Sequence, residues 1–136
     1  MTRTLRTLAI AALAAIALSA CSTEAEQPAA APVFDGAHVA AESFATAVEV
    51  EGVTVIDVRT PAEFAEGHLP GAVNANVEDP AFSAMLGQLD PDADYAVYCR
   101  SGNRSRVAID AMTQAGLTQT VGLEGGIGAW KGDVVQ

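Results

Sequence analysis

A chain of 136 residues, half of them apolar, supports one domain with a real core and not two. Seventeen acidic against seven basic side chains give a formal charge of −10, which excludes the basic face that nucleic acid demands and favours a well-solvated surface. Two cysteines, Cys21 and Cys99, allow one disulfide at most.

The N-terminus reads apart from the rest. MTRTLR carries Arg3 and Arg6, and TLAIAALAAIALSA follows with the apolarity and length of a signal h-region. The run ends in LSAC, Leu18 to Cys21. A plain signal peptide closes on small residues without needing a cysteine, whereas this junction resembles a bacterial lipoprotein signal with its lipobox. The resemblance implies that residues 1–20 are removed and that Cys21 becomes the lipidated first residue. The domain would then be extracytoplasmic, tied to the cell membrane or the outer membrane. Each buried acyl methylene contributes about 0.8 kcal/mol, so two or more chains anchor stably. The competing reading is an uncleaved membrane anchor with an incidental cysteine. Residues 21–32 are the lipidated cysteine and a flexible linker, STEAEQPAAAP, whose small residues, prolines and glutamates cannot build a core. Residues 33–136 are the domain. Without the leader the side chains sum to −12, and three of the five remaining cations flank Cys99. A lipidated Cys21 also leaves Cys99 without an intramolecular thiol partner.

Strands and helices alternate along the domain. Val39–Val50 places Val39, Phe44, Ala47 and Val48 at helical spacing. VTVIDV, Val53–Val58, is continuous and β-branched, as a strand buried on both faces should be. In TPAEFAEG, Thr60 suits the N-cap, Pro61 the first helical position and Glu63 the first turn, and Gly67 ends the helix. A short strand around Val73, a helix over Ala81–Leu89, a turn at Asp90–Asp94 and a strand at Tyr95–Cys99 follow. Asn103–Ala115 is a helix with Val107, Ala108, Ala111, Met112 and Ala115 on one face and Gly116 after it. QTVGL is the last strand and GGIGAW a last short helix. Alternation of buried strands with helices predicts an α/β fold, a parallel sheet covered on both sides.

This order puts Cys99 at the C-terminal end of a strand, where open α/β sheets hold their ligands. The loop after it, RSGNRSR, runs into a helix N-terminus whose free N–H groups favour an anion. Gly102 permits the turn. A cysteine in that field beside Arg104 has a lowered pKa and is a nucleophile in a cradle. The loop amides from Arg100 through Ser101, Gly102, Asn103 and Arg104 to Ser105 can hold negative charge on or beside the sulfur. Arg104 and Arg100 can pair with the anionic end of a small donor.

CRSGNRS resembles the active-site loop of single-domain rhodaneses, the thiosulfate-type sulfurtransferases. VIDVRTPAEFAEGHLPGAVNA, residues 55–75, resembles the family's first signature, and LEGGIGAW, 123–130, its closing one. The similarity spans about residues 37–131. It implies a five-stranded parallel sheet flanked by helices, and a cycle in which Cys99 takes a sulfane sulfur from thiosulfate or a persulfide and passes it to cyanide or a thiol. It implies no metal and no cofactor. Its partners are a small anionic donor, a thiophilic acceptor that can be a protein thiol, and the membrane through Cys21. Four residues separate Cys99 from Arg104, against five in the cell-cycle phosphatases of this fold, and the shorter ring suits a sulfur-sized anion. Arsenate-handling relatives share the shorter spacing but need an external thiol. A non-enzymatic carrier or partner-binding module is the alternative from another class.

The remaining polar residues read as structural. Asp57 and Arg59 form a buried ion pair or loop tether, and Glu63 caps its helix or pairs with Arg59. His68 is a hydrogen-bonded core histidine rather than a base. His38 lies at the domain's entry with no assigned role, Trp130 packs on the sheet, and Arg106 faces solvent or widens the positive field.

Overall fold

A computed structural model describes residues 30–136. The leader, the expected lipidation site Cys21 and most of the linker lie outside the described residues. Five strands form one parallel sheet in the order β1-β5-β4-β2-β3, with β1 at His38–Val39, β2 at Thr54–Asp57, β3 at Val73–Asn74, β4 at Tyr95–Tyr98 and β5 at Thr120–Leu123. Four helices connect them, α1 (Ala41–Val48), α2 (Pro61–Glu66), α3 (Phe82–Leu86) and α4 (Asn103–Gln114), and a 3₁₀ turn at Gly126–Gly128 follows β5.

The central strand β4 is buried throughout, which explains its unbroken apolar sequence. The two-residue period of the strand separates its side chains. Ala96 and Tyr98 face a core with Phe44 and Ala47 of α1, Val55, Leu69, Val121 and Leu123. Tyr95, Val97 and Cys99 face the other core, with Phe82 and Leu86 of α3 and Ala108, Ile109 and Met112 of α4. The sheet thus carries α1 on one side and α3 and α4 on the other.

Two sequence expectations change in detail. The predicted helix from Val39 begins instead at Ala41, because His38 and Val39 pair with β5. The amides of Gly122 and Glu124 donate to the carbonyls of Ala37 and Val39 at 2.8 and 2.9 Å, a pairing that helical periodicity cannot reveal. The predicted face of α4 is also rotated. Val107 is 61% exposed, and the buried stripe is Ser105, Ala108, Ile109 and Met112. That stripe follows the i, i+3, i+4, i+7 pattern, with a serine at a position apolarity alone would not select.

Helix α2 follows its local signals. Thr60 accepts from the Glu63 amide at 3.3 Å while the Glu63 carboxylate accepts from the Thr60 amide at 3.2 Å, a reciprocal capping box with Pro61 at the first helical position.

Candidate active site

The site is built at the C-terminal edge of β2, β4 and β5. Cys99 directly follows β4 and is 1% exposed. Its carbonyl accepts from Ile127 N at 2.8 Å, and that of Arg100 from Gly128 N at 3.3 Å, so the 3₁₀ turn pins the start of the loop. The loop then reverses at Gly102, whose φ of +99° is a left-handed conformation that side chains disfavour, and enters α4. This turn brings Gly102 N back to 3.0 Å from Cys99 Sγ. Ser105, the third residue of α4, points inward with Oγ 3.6 Å from the sulfur and donates to Gly102 O at 3.0 Å.

Burial pushes the Cys99 thiol up, but the Ser105 hydroxyl and the amides of Ser105, Ser101 and Gly102 outweigh it. The net result is a thiol below its ordinary range. Hydrogen bonds to the charged form achieve this.

The cations are arranged differently from the sequence expectation. Arg104 does not extend freely toward a donor. Its Nη2 and Nη1 donate to Glu63 Oε1 and Oε2 at 2.7 and 2.8 Å, and Nη1 lies 3.4 Å from Glu78 Oε2. Glu63 therefore pairs with Arg104 and not with Arg59. Arg104 above all holds the Glu63 carboxyl down to about 2, helped by Thr60 against partial burial. Arg106 is exposed, donates to Gly102 O at 3.0 Å and pairs with Glu124, so it braces the loop from outside. Arg100, Ser101 and Asn103 are exposed at the rim.

Beneath the loop lies a buried polar cluster. Arg59 donates to both carboxylate oxygens of Asp57, with Nη2 at 2.6 Å, and to the Gly67 carbonyl at 2.7 Å. The Tyr98 hydroxyl donates to Asp57 Oδ2 at 2.7 Å and accepts from Leu69 N at 3.0 Å. These bonds tie the ends of β2 and β4 to the segment after α2. The hydrogen bonds of Asp57 and Arg59 thus go to each other, to backbone and to Tyr98, and not to Cys99. His68 is half-buried rather than in the core, stacked on Phe64 at 3.6 Å with Nδ1 2.9 Å from the Phe64 carbonyl. Trp130 meets Phe44 edge-on at 6.1 Å.

One residue without an assigned role enters the site. His38 Nε2 is 2.8 Å from Ser105 Oγ, one atom removed from the sulfur. The sequence signal for it is indirect. Gly122 interrupts an otherwise well-filled strand, and a glycine there marks a close approach.

The rhodanese-like domain profile matches residues 40–133. The chain belongs to the rhodanese-like family. Among its relatives, a protein named sulfurtransferase from Allochromatium vinosum is 37% identical over 82 residues, 60% of this chain and 75% of that one. Thiosulfate sulfurtransferase GlpE of Shewanella oneidensis is 31% identical over 93 residues, 68% of this chain and 90% of that one. A solved rhodanese-related protein from Thermoplasma volcanium superimposes with a TM-score of 0.63 at 32% identity, over 72% of this chain and 96% of the other. The five-stranded parallel sheet with helices on both faces is the fold of this rhodanese-like domain.

Proposed function

We propose that this rhodanese-type sulfurtransferase moves a sulfane sulfur through a persulfide on Cys99. The observation that carries the reading is the sulfur itself, at the mouth of α4 with Gly102 N at 3.0 Å and Ser105 Oγ at 3.6 Å. A thiolate in that position attacks the outer sulfur of the donor. The donor's S–S bond breaks, and with thiosulfate the leaving group is sulfite, which takes the electron pair. The outer sulfur, now on Cys99, carries negative charge that the loop amides stabilise. An acceptor nucleophile then attacks that sulfur, the persulfide bond breaks, and the Cys99 thiolate returns. With cyanide the product is thiocyanate.

The ion pairing of Arg104 bears on the donor. Two carboxylates already surround that guanidinium, so an anionic sulfonate gains little from it. A persulfide donor, which carries no sulfonate, avoids this competition. We therefore favour a persulfide as donor, with thiosulfate a weaker one, and a thiol as acceptor.

The lipobox-like LSAC supports an extracytoplasmic enzyme held to a bacterial membrane through Cys21. Cys21→Ser would release the chain from the membrane fraction and abolish labelling by an acyl-chain analogue; retention with labelling would overturn the anchor.

The decisive test is the mass of the full chain after exposure to thiosulfate or a low-molecular-weight persulfide and removal of excess donor. Gain of one sulfur on the Cys99 peptide, lost with cyanide as thiocyanate appears, supports the cycle. Absence of any adduct on a Cys99 that still alkylates overturns it and leaves a partner-binding module.

A further inference from the structure

We propose that His38 is a positioning residue for Cys99, its Nε2–H donating to Ser105 Oγ and so committing the serine hydroxyl to the sulfur. The proposal rests on Cys99 being the nucleophile, not on which sulfur compound it meets.

The argument begins with the proton count. A serine hydroxyl has one proton to donate and two lone pairs. Ser105 is fully buried and has three polar neighbours, Gly102 O at 3.0 Å, Cys99 Sγ at 3.6 Å and His38 Nε2 at 2.8 Å. The Gly102 carbonyl only accepts. Were Nε2 unprotonated, it would take the hydroxyl proton and a thiolate would receive none from Ser105, while the Gly102 carbonyl keeps its Arg106 donors in either case. With Nε2–H donating, every group is satisfied in both states of the sulfur. In the thiol, S–H donates to Ser105 Oγ and the hydroxyl donates to Gly102 O. In the thiolate, the hydroxyl turns to the sulfur while His38 continues to donate to Oγ. A donor on Oγ also polarises the hydroxyl, which strengthens its bond to the anion.

The fold makes specific room for this ring. His38 of β1 lies opposite Gly122 of β5. Any side chain at Gly122 would overlap Cε1, Nδ1 and Nε2 of the imidazole. The ring therefore lies across the bare backbone of β5, and that placement carries Nε2 to α4. The far side of His38 borders an open cavity with Arg106 and Asp110 of α4 and Glu124 after β5. Partial burial first, then Arg106, lower the His38 pKa against the raising effect of Glu124 and Asp110, which favours the neutral imidazole. A neutral ring has one N–H, and its location on Nε2 is the content of the proposal.

The test uses the full chain and no sulfur donor. Cys99 alkylation by iodoacetamide, followed on the Cys99 peptide, gives the thiol's titration midpoint. His38→Phe keeps a flat ring and removes the donor; the midpoint is expected to rise by ~0.5–1 pH unit, the effect of one hydrogen bond. Ser105→Ala is expected to raise it at least as far, and the double variant no further than Ser105→Ala alone. His38→Gln, whose amide can replace Nε2–H, is expected to restore the midpoint. A midpoint unmoved in folded His38→Phe, or additive shifts in the double variant, would overturn the proposal. Nitrogen chemical shifts of His38 in the unsubstituted protein decide it even if the variants fail to fold: an Nε2–H tautomer is expected, and a dominant Nδ1–H tautomer overturns it. A shifted midpoint in a chain that never acquires sulfur would instead defeat only the sulfurtransferase cycle.

Discussion

Arg104 and Glu63 meet as a two-pronged pair, both guanidinium terminal nitrogens on both carboxylate oxygens at 2.7 and 2.8 Å. Forty-one residues apart in sequence, they join the first turn of α2 to the first turn of α4, the helix that presents the cysteine loop. The pair fixes where the loop sits relative to β2. It also neutralises Arg104, on a body that is strongly acidic.

Removing that neutralisation is expected to favour anionic donors. Glu63→Gln keeps an acceptor for the capping box but leaves the Arg104 charge only its longer, exposed 3.4 Å contact with Glu78. The KM for thiosulfate is expected to fall about 3–10-fold, with kcat changed less, because a charge-assisted bond to the sulfonate becomes available. The native enzyme should show a weak KM for thiosulfate. Raising salt should erode the variant's advantage, since the attraction acts within a Debye length of ~8 Å at physiological ionic strength. Initial rates at two salt concentrations decide it, and an unchanged KM would mean that Arg104 cannot reach the donor.

The same pair predicts an acid-sensitive step in stability. The Glu63 carboxyl is held at about 2 in the fold, chiefly by Arg104, against an ordinary value of 4.5. A depressed carboxyl stabilises the fold fully above its unfolded pKa and loses that contribution as pH falls from 4.5 toward 2. Both side chains are about a quarter exposed, 26% and 25%, so solvent reduces the effect to about 1–2 kcal/mol. Urea unfolding at pH 6 should show Glu63→Gln less stable than the native chain, and at pH 2 the two should converge. A constant difference across that range would place the stabilisation elsewhere than in the charge.

What the sequence disclosed follows the range of the interactions. Thr60, Pro61, Glu63 and Gly67 act within one helix, so their roles in starting and ending α2 can be read in order. Cys99 through Ser105 are consecutive, and the loop's dependence on a glycine turn and a helix start is equally local. The link of Ser105 to His38 spans 67 residues, and that of Arg104 to Glu63 spans 41. Neither leaves a periodic trace. Read in order, Arg104 is placed to pair with the anionic end of a donor, whereas folding brings Glu63 and Glu78 to it from distant segments. The two-residue strand β1 is too short for any pattern and is defined only by its neighbour β5.

Loss of the buried charge partner should be costly. Arg59 is 6% exposed and Asp57 fully buried, so Asp57→Ala leaves a guanidinium without a counter-charge. Such a change typically costs ~3–5 kcal/mol. Tyr98→Phe removes only the hydroxyl that bridges Asp57 Oδ2 and Leu69 N, and should cost ~1–3 kcal/mol. Asp57→Ala combined with Arg59→Met should be milder than Asp57→Ala alone. Chemical denaturation of these three variants and of Arg59→Met alone measures the order, and a double variant as unstable as the sum of its parts would show that the two residues act independently.

The tether between the 3₁₀ turn and the cysteine loop can be broken from the other side. Gly126 has φ +60°, and a Cβ there would overlap the Cys99 carbonyl oxygen and the Arg100 carbonyl carbon. Gly126→Ala must therefore displace the loop and with it the approach of Gly102 N to the sulfur. By analogy with loss of an oxyanion donor, turnover is expected to fall about 10²–10³-fold. Gly71 separates this effect from backbone strain alone. It has a similar φ of +74° but open space around its Cβ position. Gly71→Ala should cost about 1–2 kcal/mol of stability while the folded enzyme keeps its turnover. Rates corrected for the folded fraction distinguish the two substitutions. Equal losses would attribute the effect of Gly126 to strain, and a fast Gly126→Ala enzyme would show that the loop tolerates displacement from the 3₁₀ turn.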